Sequence, residues 1–185
     1  MQSYIAVAGR LAAAILSMLL FIAPATAAQI TEPTHGTTLV YDEAEWSASL
    51  EDDQNIKLVC KTAACGGTGA LCMMILEPAK RKSTPQALLG YFGTDVTKLL
   101  LEKLQDAGHY PVLADELAIH MVADRITGLS SIRHEETGQT LRTWLAQVVV
   151  PFGVAVLVCV CPEDKYATVN PQWLALVQAM VVPEK

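Results

Sequence analysis

Apolar residues fall along this chain in three different patterns, and each predicts a different kind of element. The first is a single long run. Residues 11–22 are apolar except for Ser17, Arg10 precedes them, and Ala23-Pro24-Ala25-Thr26-Ala27-Ala28 follows. A positive residue, an apolar stretch of about a dozen residues and a small-residue site are the parts of a secretory signal. The run is shorter than the ~20 residues a bilayer span needs, and Pro24 ends it. Cleavage is expected after Ala27 or Ala28, so residues 1–28 read as a removable signal. No cysteine follows the cut, so no lipid anchor is expected.

The second pattern is alternation. Residues 29–38 are polar and turn-rich, which predicts a loose N-terminal arm. Residues 38–41 and 46–50 read as short strands around an acidic turn. Residues 55–61 and 70–77 flank Cys65-Gly66-Gly67-Thr68-Gly69, where glycines permit positive φ, so a β-hairpin is predicted. If Cys60 faces Cys72, Leu58 faces Met74 and Ile56 faces Leu76. These pairs share one face and include no charge. Lys57, Val59, Lys61, Met73, Ile75 and Glu77 take the other, so period-two logic favours that register.

The third pattern is helical. Thr84 suits an N-cap, and Pro85 suits the first helical position. Leu89, Phe92, Val96, Leu99, Leu100 and Leu104 then form an apolar stripe, with Lys98 and Glu102 on the polar side and Gly108 at C′. Residues 117–123 fit either a strand or a buried helical turn. Residues 126–135 and 140–150 read as strands joined at Thr137-Gly138, and residues 153–161 as a strand after the turn Pro151-Phe152-Gly153. The apolar stretch 148–160 is broken by Pro151 and Gly153, which makes it a buried strand pair rather than a membrane span. Asn170-Pro171 repeats the cap-plus-proline start. Residues 172–181 then form a short helix with Trp173, Leu176, Val177 and Met180 inward. Strands, long helix, meander and short helix make an α+β domain, an antiparallel β-sheet bearing helices. The divisions are 1–28 signal, 29–54 arm and short strands, and 55–185 a single α+β domain.

This order is similar to that of PsbP-like and DcrB-like domains. The residues that carry the resemblance are Ile126-Thr127-Gly128-Leu129 opening a strand after the long helix, the meander 140–161, and the closing Asn170-Pro171-Gln172-Trp173 helix. It covers roughly residues 56–182. The resemblance implies an α/β/α sandwich and a non-enzymatic accessory or binding role. It transfers no functional residue, because the cysteines here are not part of the family pattern and fold alone does not give function.

Composition narrows the partners. The chain has 185 residues, with 13 Lys+Arg against 19 Asp+Glu. A net negative domain without a basic cluster is a poor match for nucleic acid or an anionic membrane. Lys80-Arg81-Lys82 reads as a solvated turn. The acidic runs lack the spacing of a calcium loop. The expected partner is an unknown protein or a small ligand, with no nucleic acid and no stable membrane insertion after cleavage. No cofactor and no metal is expected. The expected address is the periplasm of a Gram-negative bacterium.

The five cysteines are Cys60, Cys65, Cys72, Cys159 and Cys161. In an oxidising compartment their first reading is structural disulfides, and an odd count leaves a thiol over. Cys60, Cys65 and Cys72 are the disulfide candidates. Cys60–Cys72 follows from the hairpin register and would contribute about 3 kcal/mol. Cys65 can pair with either neighbour, and a bridge to Cys159 or Cys161 across the sheet stays open. Cys159-Val160-Cys161 puts two sulfurs on one side of a strand, which suits a redox couple or a soft-metal chelate. Cys72-Met73-Met74 and His120-Met121 would add ligands suited to Cu(I). Against this, Met73 and Met74 point to opposite faces, and Cys159 and Cys161 share their face with Ala155 and Leu157 as buried small hydrophobes would.

Catalytic motifs are sparse. The chain has neither G-x-S-x-G nor H-E-x-x-H. The loop at residues 65–69 lacks the lysine of a P-loop. His35, His109, His120 and His134 share no ligand spacing, and His109 fits a favourable charge at a helix C-terminus. Ser130-Ser131 near His134 is no trio on alternation alone. Trp46, Trp144 and Trp173 read as core anchors. The chain is therefore expected to be a non-enzyme with an accessory or binding role, the alternative being a thiol-redox or copper-binding protein.

Overall fold

The structure is a computed structural model. It describes residues 27–52, 54–78 and 85–184, with the side chains of residues 85–95 excepted. Strands β1 (Ala27–Thr31) and β2 (Thr38–Asp42) form a hairpin of their own. β3 (Trp46–Glu51), β4 (Asn55–Cys60) and β5 (Leu71–Pro78) precede the long helix α1 (Pro85–Asp106). β6 (Val112–Val122), β7 (Arg125–Glu136), β8 (Gln139–Val150) and β9 (Gly153–Pro162) follow. A 3-10 turn, Glu163–Lys165, leads into the last helix, α2 (Tyr166–Ala179).

Seven strands make one antiparallel sheet in the order β3-β4-β5-β9-β8-β7-β6. α1 lies on one face and α2 on the other, which is the expected α+β sandwich. β9 enters beside β5, so the central strands β8 and β9 are covered on both sides. That is why their sequence is nearly all apolar rather than alternating. The main core lies under α2 and is built from Ile56, Leu58, Met74, Trp144, Ala146, Leu157, Trp173 and Val177. Trp46 belongs to it as well, so all three tryptophans are core residues. Under α1, Val96 packs against Val154 and Val156. No helix among the described residues is long and apolar enough to cross a membrane.

Two hairpin turns explain how much of this was legible. Thr137 and Gly138 both have positive φ, +50° and +79°, as a two-residue turn between twisted strands requires. Ala123 and Asp124 do the same at +47° and +61° without a glycine to announce it. Residues 117–122 are therefore strand, part of β6, and not a helical turn, and Ala123 begins the turn. β6 is the sheet edge. Ile119 and Met121 stand exposed there, and register shifts between Leu113 and Ala118 break its regularity, which discourages edge-to-edge pairing.

α1 ends as predicted. Gly108 has φ +81°, its N–H donates to Gln105 O at 2.9 Å, and the His109 N–H donates to Leu104 O at 2.9 Å. Those bonds are the paired closure of a Schellman motif. The predicted N-cap Thr84 lies outside the described residues. Leu99 departs from the predicted stripe and is exposed. Thr97 is buried instead, with its hydroxyl 3.2 Å from Ser130 Oγ, and Leu99 lies on the opposite side of the helix from Thr97.

Three expectations are corrected. Residues 29–38 are not a loose arm. They form β1 and a turn organised by buried Glu32, whose carboxylate accepts the Thr34 N–H at 2.6 Å and the His35 N–H. His35 also stacks on Phe152, with centroids 4.3 Å apart. The second concerns β4 and β5, where Ile56 pairs with Met74 and Leu58 with Cys72. This is a slip of two residues from the expected register, and it keeps every side chain on its face. The third is the start of α2, which begins at Tyr166, so Asn170 is inside the helix and Pro171 deprives the Ala167 carbonyl of its donor. Arg125 fastens the other end, donating to Met180 O at 2.6 Å and Val177 O at 3.0 Å.

Candidate functional site

All five cysteines converge on the α2 side of the sheet. Cys60 and Cys65 are bridged, with Cα atoms 5.6 Å apart, and Cys72 and Cys159 are bridged as directly facing partners on β5 and β9. The Cys60–Cys72 bridge expected from register is therefore not formed. With the pairing slipped by two, the Cys60 N–H donates to Ala70 O at 3.0 Å, and Cys72 faces Leu58 on one side and Cys159 on the other. Cys60 is left to close the short loop on Cys65. Gly66 is required in that loop. Its φ is +114°, and an added Cβ would sit 2.8 Å from the Ala70 Cβ.

Cys161 is the free thiol among the described residues. Because Cys159 is bonded to Cys72, Cys159 and Cys161 are not a dithiol pair. Burial pushes the Cys161 thiol up to about 12, with Glu163 adding to the shift and Arg142 opposing it. A thiol held protonated at neutral pH is a poor nucleophile and a poor metal ligand. Met74 is buried beside these cysteines while Met73 lies on the other face, so the two do not line one site. Among the described residues no group of three metal-binding side chains forms. At pH 8, native protein should therefore show almost no reaction with a thiol reagent. Denatured protein should show one thiol, and reduced denatured protein five; Ellman titration reads all three.

Beside Cys161 lies a charged cluster that sequence reading missed. Arg142 donates through Nε and Nη2 to the two carboxylate oxygens of Glu163, at 2.8 and 2.6 Å. Its Nη1 donates to Ser131 Oγ at 2.9 Å and Asp115 Oδ2 at 3.2 Å. The guanidinium carbon lies 4.6 Å from the centre of the Tyr166 ring. The Arg142 hydrogen bond holds the Glu163 carboxyl below its ordinary value. Ser131 thus serves this cluster, its hydroxyl donating to Asp115. A mixed-charge concavity of about 660 Å³ opens alongside, lined by Arg133, Glu135, Gln139, Thr140, Glu163 and Asp164.

His134 belongs to the opposite face. It is buried, its Nε2 lies 3.0 Å from Thr143 Oγ1, and its ring centre lies 5.9 Å from that of His109. Burial lowers its pKa, and His109 lowers it further while Glu136 opposes. A depressed folded value means the neutral ring stabilises the fold above the unfolded pKa of about 6.5, and that stability is lost as pH falls through the folded value. The melting temperature should drop on acidification below pH 6.5, and the drop should shrink in His134→Gln. Differential scanning calorimetry from pH 7.5 to 5 reads it.

A mainly apolar groove lies where β2 meets α2. It has a volume of about 400 Å³, with one wall from Val40, Tyr41 and Asp42 and another from Gln172, Ala175, Leu176 and Ala179. Glu45, Trp46, Ala64 and Ala27 complete its lining. The helix positions are spaced i, i+3, i+4 and i+7, which is one face. Two alanines on that face leave the space that larger residues would fill. Gln172 Nε2 donates to Ala64 O at 2.8 Å and ties the helix wall to the Cys60–Cys65 loop. The spacing of residues 172, 175, 176 and 179 was readable in the sequence, but nothing in it showed that β2 would stand opposite.

No family model and no curated protein matches the sequence. Solved structures do match the fold. The solution structure of cyanobacterial PsbP (CyanoP) from Synechocystis sp. PCC 6803 superposes with a TM-score of 0.64 at 11% identity, covering 88% of this chain and 96% of that one. The crystal structure of LpqN, involved in cell envelope biogenesis of Mycobacterium tuberculosis, gives a TM-score of 0.60 at 12% identity, covering 85% and 91%. The chain has a PsbP-like fold.

Proposed function

We propose that this chain is an exported, soluble periplasmic protein of a Gram-negative bacterium. Its role is a non-catalytic accessory or binding one, with the partner seated on the α2 side. The observation that carries the reading is the open groove beside a sheet clamped by two disulfides. The side chains singled out for chemistry are otherwise engaged: Cys159 in a bridge, Cys161 buried, Ser131 in the Arg142 cluster. Disulfides persist in oxidising compartments, which supports export. LpqN, which shares the fold, is described as involved in cell envelope biogenesis, and that supports an envelope role.

The test has two parts. Expressed with residues 1–28 in a Gram-negative host, the protein should fractionate with the periplasm, begin at Ala28 or Gln29, and carry two bridges by intact mass. Cytoplasmic, uncleaved protein with five free thiols would overturn the export reading. Cross-linking in the periplasm should capture a partner that Ala175→Trp, which fills the groove, no longer captures. Capture unchanged by that variant would remove the groove from the role.

A further inference from the structure

We propose that the groove between β2 and α2 binds an amphipathic organic cation, an ammonium group carried on an apolar body. The proposal rests on the binding role proposed above and gives its ligand a chemistry. Among the described residues, the carboxylates that line the groove are Asp42 and Glu45, and no lysine or arginine lines it. Tyr41 and Trp46 line the same groove, while Val40, Leu176 and the alanines of α2 supply its apolar surface.

Carboxylates and an aromatic ring in one groove suit an ammonium group, because charge attraction and the ring quadrupole both favour a cation. Neither carboxylate is saturated by its own loop. Asp42 Oδ1 accepts the Ala44 N–H at 2.9 Å, and Glu45 Oε2 accepts the Thr62 hydroxyl. A carboxylate has about four acceptor positions, so each retains capacity for a cation. An anionic ligand of the same shape would meet two like charges in a partly desolvated groove and be rejected. The volume, about 400 Å³, lies in the usual range for small-ligand sites, roughly 300–1,000 Å³.

The loop that contributes Ala64 to the groove is closed by a bridge. Ala64 precedes Cys65, and its carbonyl holds Gln172. Reduction of Cys60–Cys65 frees the loop, so ligand affinity should fall with reductant. That would tie the site to an oxidising compartment.

The experiment uses the exported, processed protein, since processing decides whether Ala27 remains in the lining. Decyltrimethylammonium, decanesulfonate and decyl maltoside are titrated separately below their micellar concentrations, with heat and tryptophan fluorescence as readouts. The cation should bind saturably, at least tenfold tighter than the sulfonate and tighter than the neutral maltoside. Asp42→Asn with Glu45→Gln should weaken the cation about tenfold and bring it level with the maltoside, without changing the melting temperature. Ala175→Trp should abolish binding of all three. No saturable binding of the cation, equal binding of cation and sulfonate, or full affinity in the Asp42→Asn/Glu45→Gln variant each overturns the proposal. If the cation fails to bind while partner capture still depends on Ala175, the ligand chemistry is wrong and the binding role stands. Loss of both removes the binding role as well.

Discussion

Removing the Cys72–Cys159 bridge should cost about twice as much stability as removing Cys60–Cys65. The first joins residues 87 apart in sequence and the second residues 5 apart. In the chain-entropy model those loops correspond to about 4–5 and about 2 kcal/mol. The long bridge also joins β5 to β9, the seam at which the two halves of the sheet meet. Both its cysteines are fully buried, so replacement by alanine keeps the site apolar and isolates the loss of the cross-link. At about 2–4 °C per kcal/mol for a domain of this size, the Cys72→Ala/Cys159→Ala variant should melt about 10–15 °C lower. The Cys60→Ala/Cys65→Ala variant should fall by about half of that. Thermal melts followed by circular dichroism compare them. Equal losses in the two variants would show that loop length does not govern these bridges.

Trp173→Ala should be the most damaging single substitution under α2, at about 3–5 kcal/mol. Trp173 is fully buried, and its ring centre lies 6.0 Å from those of Trp144 and Tyr166. Its ring meets Trp144 of β8, so truncation leaves a cavity between the two layers. Trp173→Phe should cost much less, because among the described residues Trp173 Nε1 has no hydrogen-bond partner to lose. Urea unfolding of both variants measures the contrast. Equal costs for phenylalanine and alanine would mean that the indole nitrogen has a role its surroundings do not reveal.

How legible the chain was depended on how local each decision is. α1 ends at a glycine whose positive φ is a property of that residue, and Gly108 is where the sequence placed it. The turn at Thr137-Gly138 was equally readable. The turn at Ala123-Asp124 was not, since neither residue advertises a left-handed conformation. The burial of Glu32 was also hidden. A carboxylate in a polar stretch reads as solvated until its own turn supplies the N–H groups that satisfy it.

The site was legible in kind and not in arrangement. Cys60, Cys65 and Cys72 read as bridge formers, and all three are bridged. Their partners depended on a slip of two residues, which period-two patterning cannot detect because it leaves both faces unchanged. Cys159 and Cys161 read as a pair because they are two residues apart on one face. What separates their fates is that Cys159 faces Cys72 on the neighbouring strand and Cys161 does not.

The sequence by itself determined the class of this protein: an α+β domain with a long helix, a meander and a closing helix whose inward face includes Trp173, Leu176 and Val177. Local periodicity, turn residues and capping are sufficient for that, since each acts within a few residues of chain. The tertiary structure alone decided that β9 inserts beside β5, and with it which cysteine meets which. It also decided that β2 stands across from Ala175 and Ala179 to leave a groove lined by Asp42 and Glu45. Those outcomes depend on contacts between residues far apart in sequence, where several pairings bury the same apolar faces and only packing of the whole chain chooses among them.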